Sequence, residues 1–290
     1  MTGEYAADLA AIRDLELRAR VAVTGARHGP HTSPLHGFGA EFREYRHYRR
    51  GDDLKHVDWK TYARTRTLYT RRFTETTNLT ALVVVDASGS MDFHGKFALA
   101  KTVAAALAML VVDQGDAAGL VALGSRAAHV PAGRGVAHMA RLLARLSGLA
   151  ADGAEPFSAA LARVGPRLPR HGVVIAVSDF YDDELALPAL RRLARAGHDV
   201  VAVQTLADEE QRLAVGDDVA LVDAETGQSR VVGGDAARTV RAAYTARLTA
   251  WRARLRQSLL RDGIEPVSVT TADRLDHVLR RFLLARRGGA

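Results

Sequence analysis

The chain has 290 residues, 48% of them hydrophobic and 25% charged, with no cysteine and a formal net charge of +7. That is enough chain for one large or two small domains with ample core, and it excludes disulfides and thiolate metal sites. The longest apolar runs fall well short of the ~20 residues a membrane helix needs, and the first residues carry neither a basic n-region nor an apolar stretch, so a cytoplasmic protein without signal peptide or membrane span is expected.

Residues 5–23 read as a helix in which Leu9, Ile12, Leu15, Leu17 and Val21 form an imperfect apolar stripe. Residues 25–39, rich in Gly, Pro and His, read as an irregular loop. Residues 41–77 are charged and aromatic with little apolar periodicity; within them 66–74 is expected to form a strand leading to a hairpin with 79–85. Between Arg43 and Arg72 ten basic residues stand against four acidic ones, so this segment holds six of the seven excess charges. Tyr45, Tyr48, Trp59, Tyr62 and Tyr69 are interleaved with them. A basic aromatic stripe suits nucleic acid or an acidic protein surface. Arginines that clamp carboxylates within the fold and stack on the aromatics account for the same pattern, and no nucleic-acid-binding motif accompanies it.

Residues 79–85 read as a buried strand, followed by Asp86-Ala-Ser88-Gly-Ser90-Met91 and by a helix over 96–112 that is apolar nearly all round and so expected to be buried. A carboxylate and two hydroxyls at every second residue thus sit where the chain leaves the C-terminal end of a strand, the edge at which open α/β sheets place ligands. Three hard oxygen donors on one turn suit Mg2+ or Mn2+. Strands follow at 117–123 and 127–130, then a helix at 135–149, a short helix at 157–164 and a strand at 173–177 that ends in Ser178-Asp179-Phe180. A helix over 184–196 stops at Gly197, in the C-cap position. A strand at 199–206, a hairpin of 219–223 with 229–232, a long helix at 236–261, a strand at 266–270 and a closing helix at 275–286 complete the chain. This alternation predicts a doubly wound α/β domain over 79–290, its mostly parallel sheet covered by helices on both faces, preceded by an N-terminal helix and an irregular basic collar over 1–78.

Other chemistries fit this turn less well. Asp86 capping the next helix without a metal is the plain structural alternative. A metal-dependent phosphohydrolase with an aspartyl nucleophile needs Asp-x-Asp, and Ser88 stands at the second position. Ser88 or Ser90 as a nucleophile needs an oriented base; His94 is near in sequence, but Gly-x-Ser-x-Gly, a Walker loop and His-Glu-x-x-His are all absent.

The Asp86–Ser88–Ser90 turn, with Asp179 at the end of a second strand, resembles the metal-ion-dependent adhesion site (MIDAS) of von Willebrand factor A-like domains. The resemblance implies that the serines bind a divalent cation directly, that the aspartates act directly or through water, and that a threonine and a partner's carboxylate complete the shell. This chain has no threonine between Thr102 and Thr205. The matching loop is 152–161, where Glu155 stands at the threonine position and Ser158 offers an alternative hydroxyl. Asp86, Glu155 and Asp179 would then set three negative charges against a divalent cation, so Glu155 is expected to occupy or crowd the partner's position.

A second resemblance runs through Glu41-Phe42-Arg43-Glu44-Tyr45-Arg46, Gly51-Asp52-Asp53, Asp58-Trp59, Ala63-Arg64 and Thr70-Arg71-Arg72-Phe73. These blocks are similar to the signature of domain-of-unknown-function family fifty-eight, which leads into a von Willebrand A-like strand. Members are bacterial or archaeal proteins often encoded beside MoxR-type AAA+ ATPases. The resemblance implies a non-enzymatic adaptor that docks such an ATPase in a chaperone-like or metal-insertion assembly. A nucleic-acid-binding protein using residues 43–72 is the alternative, and a metal-dependent phosphohydrolase the second. The collar is read as Asp52, Asp53 and Asp58 pairing with Arg43, Arg46, Arg64 or Arg72 around Trp59, part of it a candidate partner surface.

Overall fold

Apolar runs without alternation mark strands buried on both faces. Four such runs form the centre of a six-stranded sheet in this computed structural model, which describes residues 13–21, 23, 40–47, 59–75, 79–123, 127–168, 171–211, 218–222 and 229–279. The four are β3 (Thr80–Asp86), β4 (Ala117–Leu123), β6 (Val173–Ser178) and β7 (Asp199–Leu206). β5 (Ala128–Gly133) and β10 (Glu265–Thr270) close the two edges, giving the order β10-β7-β6-β3-β4-β5. All pairs are parallel except β4 with β5.

Helices cover both faces. α3 (Lys96–Asp113) and α4 (Val136–Ser147) pack together on one side. α3 is buried along most of its length, as its nearly all-round apolar sequence requires. On the other side α5 (Phe157–Ala162), α6 (Asp183–Arg195) and the C-terminal half of α8 (Gly234–Arg261) enclose a core of Leu82, Val84, Phe157, Leu190, Leu255 and Leu259. α6 ends in a Schellman turn: Gly197 takes φ +89°, its N–H reaches Ala194 O, and the His198 N–H reaches Leu193 O. A short helix, α7 (Asp208–Gln211), follows β7, and the hairpin of β8 (Asp218–Val222) with β9 (Ser229–Gly233) leads into α8. Residues 275–279 form α9; the rest of the expected closing helix lies outside the described residues. The architecture is that of a von Willebrand A-like α/β domain.

Two expectations are corrected. In the first helix, α1 (residues 13–21), Leu15, Ala19 and Val23 are buried, four residues apart on one face. Leu17 and Val21 face solvent instead, while Leu9 and Ile12 lie outside the described residues. The strand expected over 66–74 forms as β2 (Tyr69–Glu75), but its partner is β1 (Ala40–His47), antiparallel, and not β3. β3 has no free edge to offer, because β4 and β6 pair with it on either side. Contacts divide the chain into two compact units, one of residues Leu35–Leu79 and one of the remainder. The smaller unit holds the β1–β2 ladder and α2 (Trp59–Thr65).

Candidate functional site

From β3 the chain passes through α3 to β4 on one side, whereas β6, on the other side of β3, passes through α6 to β7, farther out still. β3 and β6 are therefore neighbours whose onward connections diverge, the switch point at which such sheets open a crevice. Asp86 is the last residue of β3, and Asp179 follows the last residue of β6. The register sets Val85 beside Val177, so Asp86 comes level with Ser178.

Asp86 is buried and its two oxygens are spoken for locally. The Ser88 N–H donates to Oδ1 at 2.9 Å and the Ser178 hydroxyl donates to Oδ2 at 2.5 Å. Ser178 Oγ in turn accepts the Phe180 N–H at 2.8 Å. Burial first, and the Asp179 charge second, push the Asp86 carboxyl up to about 6, against the hydrogen bonds from Ser178 and Ser88. Ser88 Oγ and Ser90 Oγ stand 3.1 Å apart on a single 3-10 turn, Gly89–Met91, anchored by the buried Met91 side chain.

Asp179 is buried as well. Its Oδ1 accepts the Tyr181 N–H at 3.1 Å, and its Oδ2 accepts Lys96 Nζ at 2.8 Å. Between them Phe180 takes φ +61°, a left-handed conformation that is rare for a bulky side chain and recurs at functional sites. Its fully buried ring, edge-on to Phe157 at 5.9 Å, holds that turn in place.

Asp86, Ser88, Ser90 and Asp179 line an open cleft of about 570 Å3 whose opposite rim is the loop at residues 152–157. That loop is joined to the turn after β3 by the Gly153 N–H, which donates to Ala87 O at 2.8 Å. Glu155 lies on the rim with its side chain 59% exposed, and its Oε2 is 3.6 Å from Arg163 Nη2. Ser158 is half-buried within α5. Asp182 also lines the cleft; burial raises its carboxyl, and the Ser158 and Phe157 amides approach it without closing a hydrogen bond.

A divalent cation is implied by the fold family, and the donor chemistry fits one. Mg2+ holds oxygens at about 2.0–2.1 Å in an octahedron, which places adjacent ligand oxygens about 2.9 Å apart. The Ser88–Ser90 hydroxyl pair comes close to that spacing before any ion arrives. Among the described residues no three His, Asp or Glu side chains gather as a cage; the candidate donors are the two hydroxyls with Asp86 and Asp179. Ser88 and Ser90 would hold the ion, with Asp86 and Asp179 supplying the negative charge.

The collar residues are placed less fully. Arg43 and Arg46 lie on β1, their side chains outside the described set, and Asp52, Asp53 and Asp58 lie outside the described residues altogether. Trp59 opens α2, exposed and edge-on to Tyr62 at 6.2 Å, and Arg64 is exposed in the last turn.

The sequence reading missed Ser178, Tyr181, Lys96 and Glu210. Lys96 is 0% exposed, and its ammonium bridges Asp179 to Glu210 Oε1 at 2.7 Å. A signal for it existed: a lysine in the first turn of a helix opposes the helix dipole, so one opening an otherwise apolar helix calls for nearby carboxylates. Glu210, more than a hundred residues away, gave no comparable sign.

The family model described as "Protein of unknown function DUF58" matches residues 44–254. Uncharacterized proteins of Mycobacterium tuberculosis (Rv1480) and Mycobacterium bovis (Mb1516) are each 32% identical to the chain, over 97% of it and 90% of their own length. Among solved structures, a conserved hypothetical protein, BatB, from Bacteroides thetaiotaomicron is 14% identical at a TM-score of 0.44, covering 73% of this chain and all of its own. An aerotolerance-related membrane protein from Bacteroides fragilis is 13% identical at 0.45, covering 72% of this chain and 99% of its own. No helix among the described residues is long and apolar enough to cross a membrane.

Proposed function

The chain belongs to the DUF58 family, and from that premise we propose that it is a non-enzymatic, cytoplasmic docking module whose Asp86–Ser88–Ser90–Asp179 site carries Mg2+ or Mn2+. The observation that carries this reading is the paired Ser88 and Ser90 hydroxyls at the mouth of an open cleft, above two buried carboxylates at the switch point of the sheet. A bound cation would offer a partner's oxygen a Lewis-acidic position in that cleft. The partner class, a MoxR-type AAA+ ATPase, is what the family resemblance implies.

The cleft holds carboxylates beside the hydroxyls, Asp86 among them, but lacks the His-based arrangement of a serine nucleophile among the described residues. Ser88 and Ser90 bond to each other, no histidine is among the described residues lining the cleft, and His94 Nδ1 is turned to Glu209 at 3.5 Å. Glu155 lines the same cleft, exposed and 3.6 Å from Arg163, and in this reading it crowds the position a partner's carboxylate would take.

The test is co-precipitation with the purified ATPase in Mg2+ and in chelator, for the wild type and for Ser88→Ala/Ser90→Ala. Docking should fall at least about tenfold on chelation and in the double variant, while the fold survives, because a partly buried hydroxyl pair contributes only about 1 kcal/mol to stability. Docking that ignores both the chelator and the substitutions would refute the reading.

A further inference from the structure

Lys96 is among the largest fully buried side chains described in the protein, and it is a cation. Burying an ammonium is unfavourable unless it is paired and hydrogen-bonded. Here Asp179 Oδ2 lies at 2.8 Å, Glu210 Oε1 at 2.7 Å, and the Tyr181 ring centroid at 4.9 Å. The carboxylates are themselves held: the Tyr181 hydroxyl donates to Glu210 Oε1 at 3.1 Å, the Ala207 N–H donates to Glu210 Oε2 at 2.7 Å, and the Tyr181 N–H donates to Asp179 Oδ1. One ammonium therefore joins three segments that leave the same edge of the sheet: the start of α3, the end of β6 and the short helix α7 after β7.

The charges close in a way that bears on the site. The ionisable residues buried at this edge are Asp86, Asp179, Glu210 and Lys96, with the partly exposed Asp182 on the cleft wall outside this inner set. With the carboxylates ionised they sum to −2, which one divalent cation would neutralise. Without Lys96 the sum would be −3, and a cation would be drawn in more strongly while Asp179 lost its fixed partner.

We propose that Lys96 is the positioning residue of the cation site: its ammonium fixes Asp179 against Glu210 and, as a resident positive charge beside the site, holds its affinity for divalent cations down. The proposal rests on the metal-docking reading above. It gives the protein a folded edge that stands without metal and a site that fills and empties with the cation supply.

The test is Mg2+ titration calorimetry on the full chain, with circular dichroism to verify folding, for the wild type, Lys96→Met, Glu210→Gln and Lys96→Met/Glu210→Gln. One unit charge at close range in a poorly screened site is worth about tenfold or more in affinity. Lys96→Met should therefore bind Mg2+ at least about tenfold tighter than wild type, and its melting temperature should become Mg2+-dependent. Glu210→Gln should bind about tenfold more weakly. The double variant, which restores the buried sum of −2, should return to within a few-fold of wild type, a recovery that a merely structural role would not produce. Should Lys96→Met fail to fold, the double variant binding at least about tenfold tighter than Glu210→Gln supports the proposal, and equal binding overturns it. Wild type that binds Mg2+ with Lys96→Met no tighter also overturns it while leaving the metal reading intact. Binding by Lys96→Met but not by wild type upholds the role of Lys96 and removes the metal reading; binding by neither removes both.

Discussion

Because burial and the neighbouring Asp179 charge push the Asp86 carboxyl from 3.8 to about 6, the metal-free protein keeps this proton to a higher pH than the unfolded chain does. On this group's account stability is full below the unfolded value near 3.8 and is lost as pH rises through about 6, a total of about 3 kcal/mol. Asp86→Asn removes that dependence. In chelator, the unfolding free energy of the Asn variant should gain on wild type by on the order of 2 kcal/mol between about pH 4.5 and pH 7.5; a difference that stays constant with pH would clear Asp86 as the cause. Mg2+, by favouring the ionised carboxylate, should shrink the gain. At this scale the sequence was legible where chemistry is local. Asp86, Ser88 and Ser90 fall on one turn, and Asp179 ends a recognisable strand. Glu210 could not be read, since its place beside Lys96 depends on how β7 pairs with β6 and delivers α7. Glu155 is a middle case: its position in the loop was legible, but its pairing with Arg163 was not.

Among the elements, the central strands and α3 were readable from their unbroken apolar runs, whereas β1 was not. Its reason is specific: the ladder with β2 shifts register between Phe42 and Glu44, so Phe42 and Tyr45 fall three apart and the two-residue alternation that marks a strand is broken. A second irregularity lies at the sheet's edge, where β4 and β5 shift between Ala118 and Leu120. Gly119 sits there because a Cβ would come within 2.5 Å of Leu82 Cδ2 and 2.9 Å of both Ala132 N and Val130 O. Two of those atoms are backbone and cannot rotate away. Gly119→Ala should therefore destabilise the protein by about 1–3 kcal/mol in urea denaturation and leave Mg2+ affinity unchanged, since Gly119 pairs with Leu82, well down the strand from Asp86. A neutral effect on stability would mean that the bulge can give way.

For the molecule as a whole, charge is more divided than the collar alone suggests. α8 carries seven arginines against the single Asp235, a second basic concentration equal to that of residues 43–72, so the remainder of the chain is net acidic. Two basic regions make salt the useful discriminator. Docking through a cation in the cleft should vanish with chelator yet lose no more than about tenfold between 50 and 200 mM salt, whereas a protein neutralising six to ten phosphates loses about 10³–10⁵ over that range; the steep loss would favour the nucleic-acid alternative. The cleft itself has two kinds of wall. Its floor ends a strand buried from Ala81 to Asp86, but its far rim is joined to that floor through the Gly153 amide and Ala87 carbonyl. Amide exchange at Val83 or Val84 has to wait for global unfolding, while exchange at Gly153 needs only the rim to lift. The protein thus carries its own clock for the opening of the cleft, one that runs independently of the fold and can be read at a single backbone hydrogen.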